Sequence, residues 1–474
     1  MSRGLFVLAL LAILAFGAEK RLEWRGDLVD IGIGGDGLHY WHLAVNIERN
    51  KMISLDGKTP TWARLPGYPA LLALTTEPAR SDTGAKNPIS VRDRVWAWRD
   101  RMTRVNLAID LACGLFASLL ALALGGGPFA LGAALWWSMQ PWSTVIAIHP
   151  LADGLATAVT AAALAALASA ARRRSMGWFF LAGALCGVGQ WVRADTLLLL
   201  PALGFAGLFA VGRPWERVGF AGVALLGWAL VFAPWPARNR ELFGEAHPWG
   251  GTSLDAAGKP IDRTSAFAWM RTWCEGREEE TIRVAWPFPG QGVWTAMVPP
   301  HAWDSEDERV RVSSLLVEYN RNGNKLTPEL TAKLDAITAE RLKAHRFKVW
   351  VRLPVRRVLN RLFAPRDGFG MGTLPPLGLG PERERWIRAD TVITLAGLLA
   401  LLLVALDRNR RGIGLALFGW ILLRAFVVTW LNPAPEPRYF LEFLPVFAAG
   451  AAVLPWRILE MVRNRSRAAD ARAG

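Results

Sequence analysis

The chain has 474 residues, 52% of them hydrophobic and 20% charged, with a formal net charge of +15. That is more apolar length than one soluble core needs, and it is blocked into long runs, which excludes a single soluble domain and leaves a multispan membrane protein. The positive charge does not point to nucleic acid, because the basic residues collect in loops that alternate along the chain and no nucleic-acid motif accompanies them.

In chain order, apolar runs at roughly 5 to 17, 103 to 124, 128 to 147, 151 to 171, 176 to 192, 194 to 212, 218 to 234, 389 to 406, 413 to 431 and 440 to 456 predict about ten helices, since helices satisfy their own backbone in lipid. The first run has a basic start and a signal-peptide length. Its end, Ala15-Phe16-Gly17-Ala18, is a poor cleavage site, so it reads as a retained helix. Arg172 to Arg174, Arg213 and Arg217, Arg408, Arg410 and Arg411, and the tail from Arg457 to Arg472 all fall on one side of a ten-helix arrangement. By the positive-inside rule both termini are then cytoplasmic, in a cell or inner membrane. Trp136, Trp137, Trp142, Trp235, Trp386, Trp430 and Trp456 lie near helix ends and suit interfacial belts. Three cysteines, two of them in apolar runs, give no disulfide framework.

This topology divides the chain into three parts. Residues 1–234 form a transmembrane module whose first external loop spans 19–100. Residues 235–387 form a small external soluble domain with a juxtamembrane amphipathic helix, and 388–474 return as transmembrane helices with a basic tail. Within the external part, Thr327-Pro328-Glu329 opens a helix with Leu330, Leu334, Ile337 and Leu342 at helical spacing. The stretch 345–363 mixes apolar and basic residues as a surface-lying helix would, with Pro354 set to break or kink it. The charged insertion 75–100 has no physical account from the sequence.

Residues able to carry chemistry cluster in the predicted external segments. Asp36 follows a Gly-rich stretch and leads into a helix, so it reads either as a general base at the membrane surface or as a helix N-cap. His39 and His42 stack at i and i+3, with Tyr40 between them and no acidic or Cys partner at metal-ligand spacing. Arg64 precedes the rigid turn Pro66-Gly67-Tyr68-Pro69. The chain has only 4 tyrosines, and Tyr40, Tyr68 and Tyr439 all fall in these segments. Asp153 starts the fourth helix; Arg193 and Asp195 sit between two apolar halves, as a functional cation or as a local hairpin pair. Arg238 and Asn239 leave the seventh helix, and Arg438 and Tyr439 begin the last.

Taken in order, Asp36 with His39 and Tyr40, Arg64-Leu-Pro-Gly-Tyr-Pro, Asp153, Gly-Val-Gly-Gln-Trp-Val-Arg193, Pro-Trp-Pro-Ala-Arg238-Asn239 and Pro-Arg438-Tyr439 resemble the bacterial glycosyltransferase family 39, of the GT-C type, which includes protein mannosyltransferases and aminoarabinose transferases. The resemblance implies a mainly α, polytopic GT-C fold and an inverting transfer of a sugar, hexosyl or pentosyl, from a polyprenyl-phosphate donor to a lipid, glycan or protein acceptor on the extracytoplasmic face. It also implies that a first-loop carboxylate acts as base, with Asp36 the candidate and Asp153 sharing the role or binding substrate. Arg64, Tyr68, His39, Tyr40, Arg193, Arg238, Arg438 and Tyr439 are the donor-binding candidates. Relatives often carry two adjacent acids where this chain has Asp36-Gly37. The chemistry requires no cofactor, and the sequence offers no clear cage for a divalent cation. The competing reading is a transporter or a flippase for a lipid-linked sugar, with Arg193, Asp195 and Asp153 along a midplane path; such proteins tend to show repeats, and none is visible.

Overall fold

The computed structural model describes residues 1–26, 36–75, 91–143, 147, 151–210, 212–247, 249, 262–276, 282, 286, 292–363, 381–433 and 437–473. Most of the insertion at 75–100 lies outside the described residues. Among the described residues every regular element is helical, and the chain divides into two compact units. The α-helices are α1 (Arg3–Gly26), α2 (Asp36–Asn50), α3 (Gly67–Thr75), α4 (Val91–Ala123), α5 (Leu131–Met139), α6 (Ala152–Arg173), α7 (Met176–Val192), α8 (Leu199–Leu208), α9 (Pro214–Phe232) and α10 (Pro234–Phe243). They continue with α11 (Thr264–Arg271), α12 (Glu306–Arg321), α13 (Pro328–Ala344), α14 (Leu353–Phe363), α15 (Pro381–Leu406), α16 (Arg411–Leu431) and α17 (Leu444–Ala473).

The first unit comprises residues 1–250, 371–421 and 441–474. Among the described residues, six helices are long and apolar enough to cross a membrane; they lie in α4, α6, α9, α15, α16 and α17, while α7 and the stretch Ala194–Leu208 are apolar but shorter. With α1 and α5, these elements take up the ten apolar runs. Lipid supplies no hydrophobic drive between helices, so close packing relies on small residues. Alanines of α6 are buried along nearly its whole length. Where α7 meets α9, a methyl on Gly227 would stand 2.4 Å from the Phe180 carbonyl oxygen, and only glycine permits that approach.

A buried charge pair fastens the N-terminal helix. Arg21 of α1 donates to Asp110 of α4 at 2.9 Å, to the carbonyls of Trp137 and Ser138 at 2.7 and 3.0 Å, and to the Ser143 hydroxyl at 2.6 Å. Trp137 donates its indole N–H to the Asp110 carbonyl at 2.8 Å. Charges are tolerated at such positions only when every polar atom finds a partner. Trp137, Trp142 and Trp235 are therefore interior residues with at most 2% exposure, which corrects their assignment to interfacial belts.

The second unit comprises residues 251–370 and 422–440, so it takes in the C-terminal end of α16 as well as most of the polar segment. Trp269, Trp273, Trp286, Tyr319, Leu330 and Leu334 lie in its buried core. Thr327 caps α13 by accepting from the Leu330 amide at 3.3 Å, as its Thr-Pro-Glu start predicts. Buried Arg341 is held by Glu308 at 2.9 Å and Asp304 at 3.0 Å. Pro354 falls in the first turn of α14, just after a π-helical turn over Lys348–Arg352. The wider turn accommodates the missing amide, so of the break or kink expected at Pro354 the helix shows a π-helical irregularity and continues.

Candidate active site

The loop joining α2 to α3 is built by its own polar side chains. Asp56 accepts from the amides of Lys58 and Thr59, each at 2.8 Å, and from the Ser54 hydroxyl at 2.8 Å. The Thr59 and Lys58 amides hold its carboxyl well below the usual carboxylate range. Asn46 of α2 donates to the Ser54 carbonyl at 2.8 Å, and the Thr61 amide to the Ile53 carbonyl at 2.8 Å. These bonds close the loop on itself and carry the chain back to Arg64 beside the start of α2.

Asp36 opens α2, and its carboxylate pairs with the Arg64 guanidinium at 2.5 Å. His39, one turn along, lies 3.3 Å from the same guanidinium through Nδ1. Tyr40 and Tyr68 meet edge to face with centroids 5.3 Å apart, and the Tyr68 hydroxyl donates to Asn106 of α4 at 2.9 Å. Beneath them Ala44, Tyr68, Leu72, Trp98, Met102, Ala156 and Val192 form one buried cluster that joins α2, α3, α4, α6 and α7. His42 is half-buried, and burial pushes its imidazole down from its ordinary value.

Gly67 is where this turn meets α7. A methyl there would stand 2.8 Å from the Trp191 carbonyl oxygen, and backbone cannot yield cheaply. Gly67→Ala is expected to destabilise the protein by roughly 1–3 kcal/mol, measured as a fall in thermal midpoint, and to move Arg64 and Tyr68 together. An unchanged midpoint would show that the turn is not seated on α7.

A second charged group gathers at the ends of four elements. Asp153 lies in the first turn of α6, where the helix dipole favours a carboxylate. Arg193 follows α7 in an extended conformation and Asp195 lies two residues on; Glu442 belongs to the turn Pro437–Phe443 that leads into α17. Arg193 contacts Asp153 at 2.5 Å, Asp195 at 3.0 Å and Glu442 at 3.7 Å. Thr160 of α6 donates to Glu442 at 3.0 Å. The local Arg193–Asp195 pair of the sequence is thus present, enlarged by two acids from distant segments. Tyr40 ties this group to the first: its phenol is pushed up to about 12, chiefly by burial, with the charges of Arg64, Asp36, Asp153 and Arg193 all acting on it. Tyr40 also packs on the buried cluster that holds Tyr68, Ala152 and Val192, the last two being chain neighbours of Asp153 and Arg193, so Asp36, Arg64, Asp153 and Arg193 share one electrostatic neighbourhood.

The chain superimposes on the oligosaccharyltransferase AglB of Archaeoglobus fulgidus, solved with an inhibitory peptide and a dolichol-phosphate, with a TM-score of 0.50 and 14% identity over 98% of this chain and 52% of that one. The fold is of the GT-C type. The chain spans about half the length of that oligosaccharyltransferase. ArnT of Cupriavidus metallidurans, bound to undecaprenyl phosphate, is a more distant match, with a TM-score of 0.37 and 13% identity over 96% of this chain and 78% of that one. No protein-family model matches the chain, and no curated protein matches it.

Within the GT-C frame the other candidates take different places. Arg238 donates to Asn239 at 2.7 Å and to the Thr61 carbonyl at 3.4 Å, and it lies over the Trp235 ring at 5.2 Å. Those contacts brace the first loop from α10. Arg438 and Tyr439 belong to the second unit; Arg438 lies over the Tyr439 ring at 5.4 Å, and the Tyr439 carbonyl accepts from Arg424 at 2.6 Å. Among the described residues, no group of three His, Cys, Asp or Glu side chains is placed to hold a metal ion. Glu442 was not singled out in the sequence, although an acid inside an apolar run, here 440–456, is the kind of signal that finds such a residue.

Proposed function

We propose that the chain is a membrane glycosyltransferase that moves a sugar from a polyprenyl-phosphate donor to an acceptor on the extracytoplasmic face, with inversion at the anomeric carbon. The observation that carries this reading is the grouping of two guanidinium–carboxylate pairs, Asp36–Arg64 and Asp153–Arg193, around Tyr40 at one end of the apolar helices. The basic loops at the opposite end support an outside location for this end, by the positive-inside rule.

A polyprenyl phosphate is already a serviceable leaving group, so the site has two tasks: to take a proton from the acceptor and to hold the phosphate. Asp36 performs the first. The acceptor oxygen forms its bond to the anomeric carbon as the carbon–oxygen bond to phosphate breaks on the opposite side, and the acceptor proton passes to the Asp36 carboxylate. Arg64 performs the second, because a guanidinium presents a planar fork to phosphate oxygens and stays charged near lipid. Arg193, set against three carboxylates, is less able to lend its fork to a phosphate than its sequence position suggests. Asp153 then serves the site by placing Arg193.

Arg64→Lys keeps the charge and loses the fork, so the donor Michaelis constant is expected to rise by on the order of tenfold with a smaller change in turnover number. An unchanged constant would take Arg64 out of phosphate binding. The function itself is tested by incubating the purified chain with a panel of labelled polyprenyl-phosphate sugars and native membrane extract. Release of polyprenyl phosphate with one donor would name the sugar; no release from any donor by folded protein would overturn the reading.

A further inference from the structure

The opposite end of the helix bundle holds a second site. Arg172 lies near the C-terminal end of α6, which starts at Ala152 and so carries Asp153 at its other end. At about 1.5 Å per residue the two positions are roughly 30 Å apart, the thickness of a bilayer hydrocarbon core. There a cavity of about 190 Å³ is lined by Arg172, Arg174, Asn409 and Arg410 on its polar side and by alanines of α6 and Phe209 on its apolar side. Directly adjoining it, and sharing Ala123 and Arg172 with it, is a groove of about 390 Å³ between α4, α6 and α7. Phe116, Leu119, Ala166, Leu181 and Leu185 line that groove, with Arg173 and Trp178 at its polar end. Arg173 lies over the Trp178 ring at 5.1 Å.

Charge at this end is uneven. Arg410 is half-buried, and burial together with the neighbouring Arg457 and Arg172 pushes its guanidinium down from its ordinary value. Asp407 lies 3.1 Å from Arg457 and 3.8 Å from Arg410, and Glu460 lies 2.7 Å from Arg457. Among the described residues, no carboxylate stands within ion-pair distance of Arg172, Arg173 or Arg174. A cluster of cations facing a cavity at a membrane surface attracts an anion, and the apolar groove beside it fits a hydrocarbon chain.

We propose that these two cavities form one binding site for an anionic phospholipid of the leaflet at this end, its phosphate among Arg172, Arg174 and Arg410 and one acyl chain along α4, α6 and α7. The site is separate from the Asp36 group, and the proposal stands whether or not that group transfers a sugar. Because Arg172 and Arg174 are exposed, replacing them leaves the buried packing intact.

The test is native mass spectrometry of the full chain in detergent, titrated with dioleoyl-phosphatidylglycerol or with dioleoyl-phosphatidylcholine of the same chains. The anionic lipid is expected to be retained on the order of tenfold more tightly. That preference should disappear in Arg172→Gln/Arg174→Gln and survive in Arg240→Gln, an exposed change in α10 outside both sites. Dihexanoyl-phosphatidylglycerol, too short to fill the groove, should bind more weakly than the dioleoyl form. Equal retention of the two dioleoyl lipids, a preference unchanged in the double variant, or full displacement by inorganic phosphate alone would each overturn the proposal.

Discussion

Asp36→Asn is expected to lower transfer by about 10²- to 10⁴-fold, the range that a positioned general base supplies. Two effects compete in such a variant, loss of the base and loss of the ion pair to Arg64, and magnitude separates them. The pair is partly exposed, with 31% of the Asp36 side chain and 19% of the Arg64 side chain accessible. Ion pairs of that exposure contribute up to about 1 kcal/mol, so folding should be nearly unchanged while activity collapses. The same accessibility favours Asp36 over Asp153 as the base. An acceptor must reach the carboxylate, and Asp153 offers only 5% of its side chain. Turnover assays on the parent and variant, at equal folded concentration checked by thermal denaturation, decide it. Turnover within a few-fold of the parent would remove Asp36 from the chemistry, and a collapse of both activity and folding would make its role structural.

The membrane architecture was legible because helices in lipid must be apolar over a fixed length, so runs such as 103–124, 151–171 and 413–431 mark α4, α6 and α16 directly. The start of α13 was legible for a local reason: Thr327 and Pro328 satisfy the first-turn amides by themselves, whatever surrounds them. What could not be read were pairings across the chain. Arg21 and Asp110 each stand out as charges in or beside apolar runs, but nothing in either segment says that they meet, and their bond depends on how α1, α4 and α5 pack. Tryptophans failed for a related reason. A Trp near a helix end faces either the interface or a neighbouring helix, and the choice at Trp137 was made by Asp110, which accepts its indole N–H.

In the site, the sequence marked Asp36, Arg64, Asp153 and Arg193 one by one, and the fold supplies the way they combine. The Pro-Gly-Tyr-Pro turn returns Arg64 to the start of α2, since Gly67 fits against Trp191 and Tyr68 reaches Asn106. Proximity of α6 and α7 then brings Asp153 to Arg193. Glu442 completes the group from almost 300 residues further on, 282 positions from its partner Thr160, a separation over which periodicity and spacing say nothing.

Arg193→Gln is expected to be the most destabilising single change in the first unit's charged groups. Arg193 stands within ion-pair distance of Asp153, Asp195 and Glu442, whose side chains are 5%, 19% and 4% accessible. Removing it leaves three acids together with little water to screen them. Breaking one buried pair from one side costs roughly 3–5 kcal/mol, so the thermal midpoint should fall by several degrees and expression should drop with it. The partly exposed Asp36–Arg64 pair has no comparable penalty. A compensating change separates packing from chemistry: Arg193→Gln/Asp195→Asn removes one of the repelling acids and should recover part of the lost stability. If Arg193 serves only to hold Asp153 and Glu442 in place, the stabilised double variant should regain donor binding in proportion to its folding. If its guanidinium also touches the donor phosphate, the double variant should fold better and still bind donor poorly. A single Arg193→Gln protein as stable as the parent would contradict the ion-pair geometry and with it the placing of Asp153.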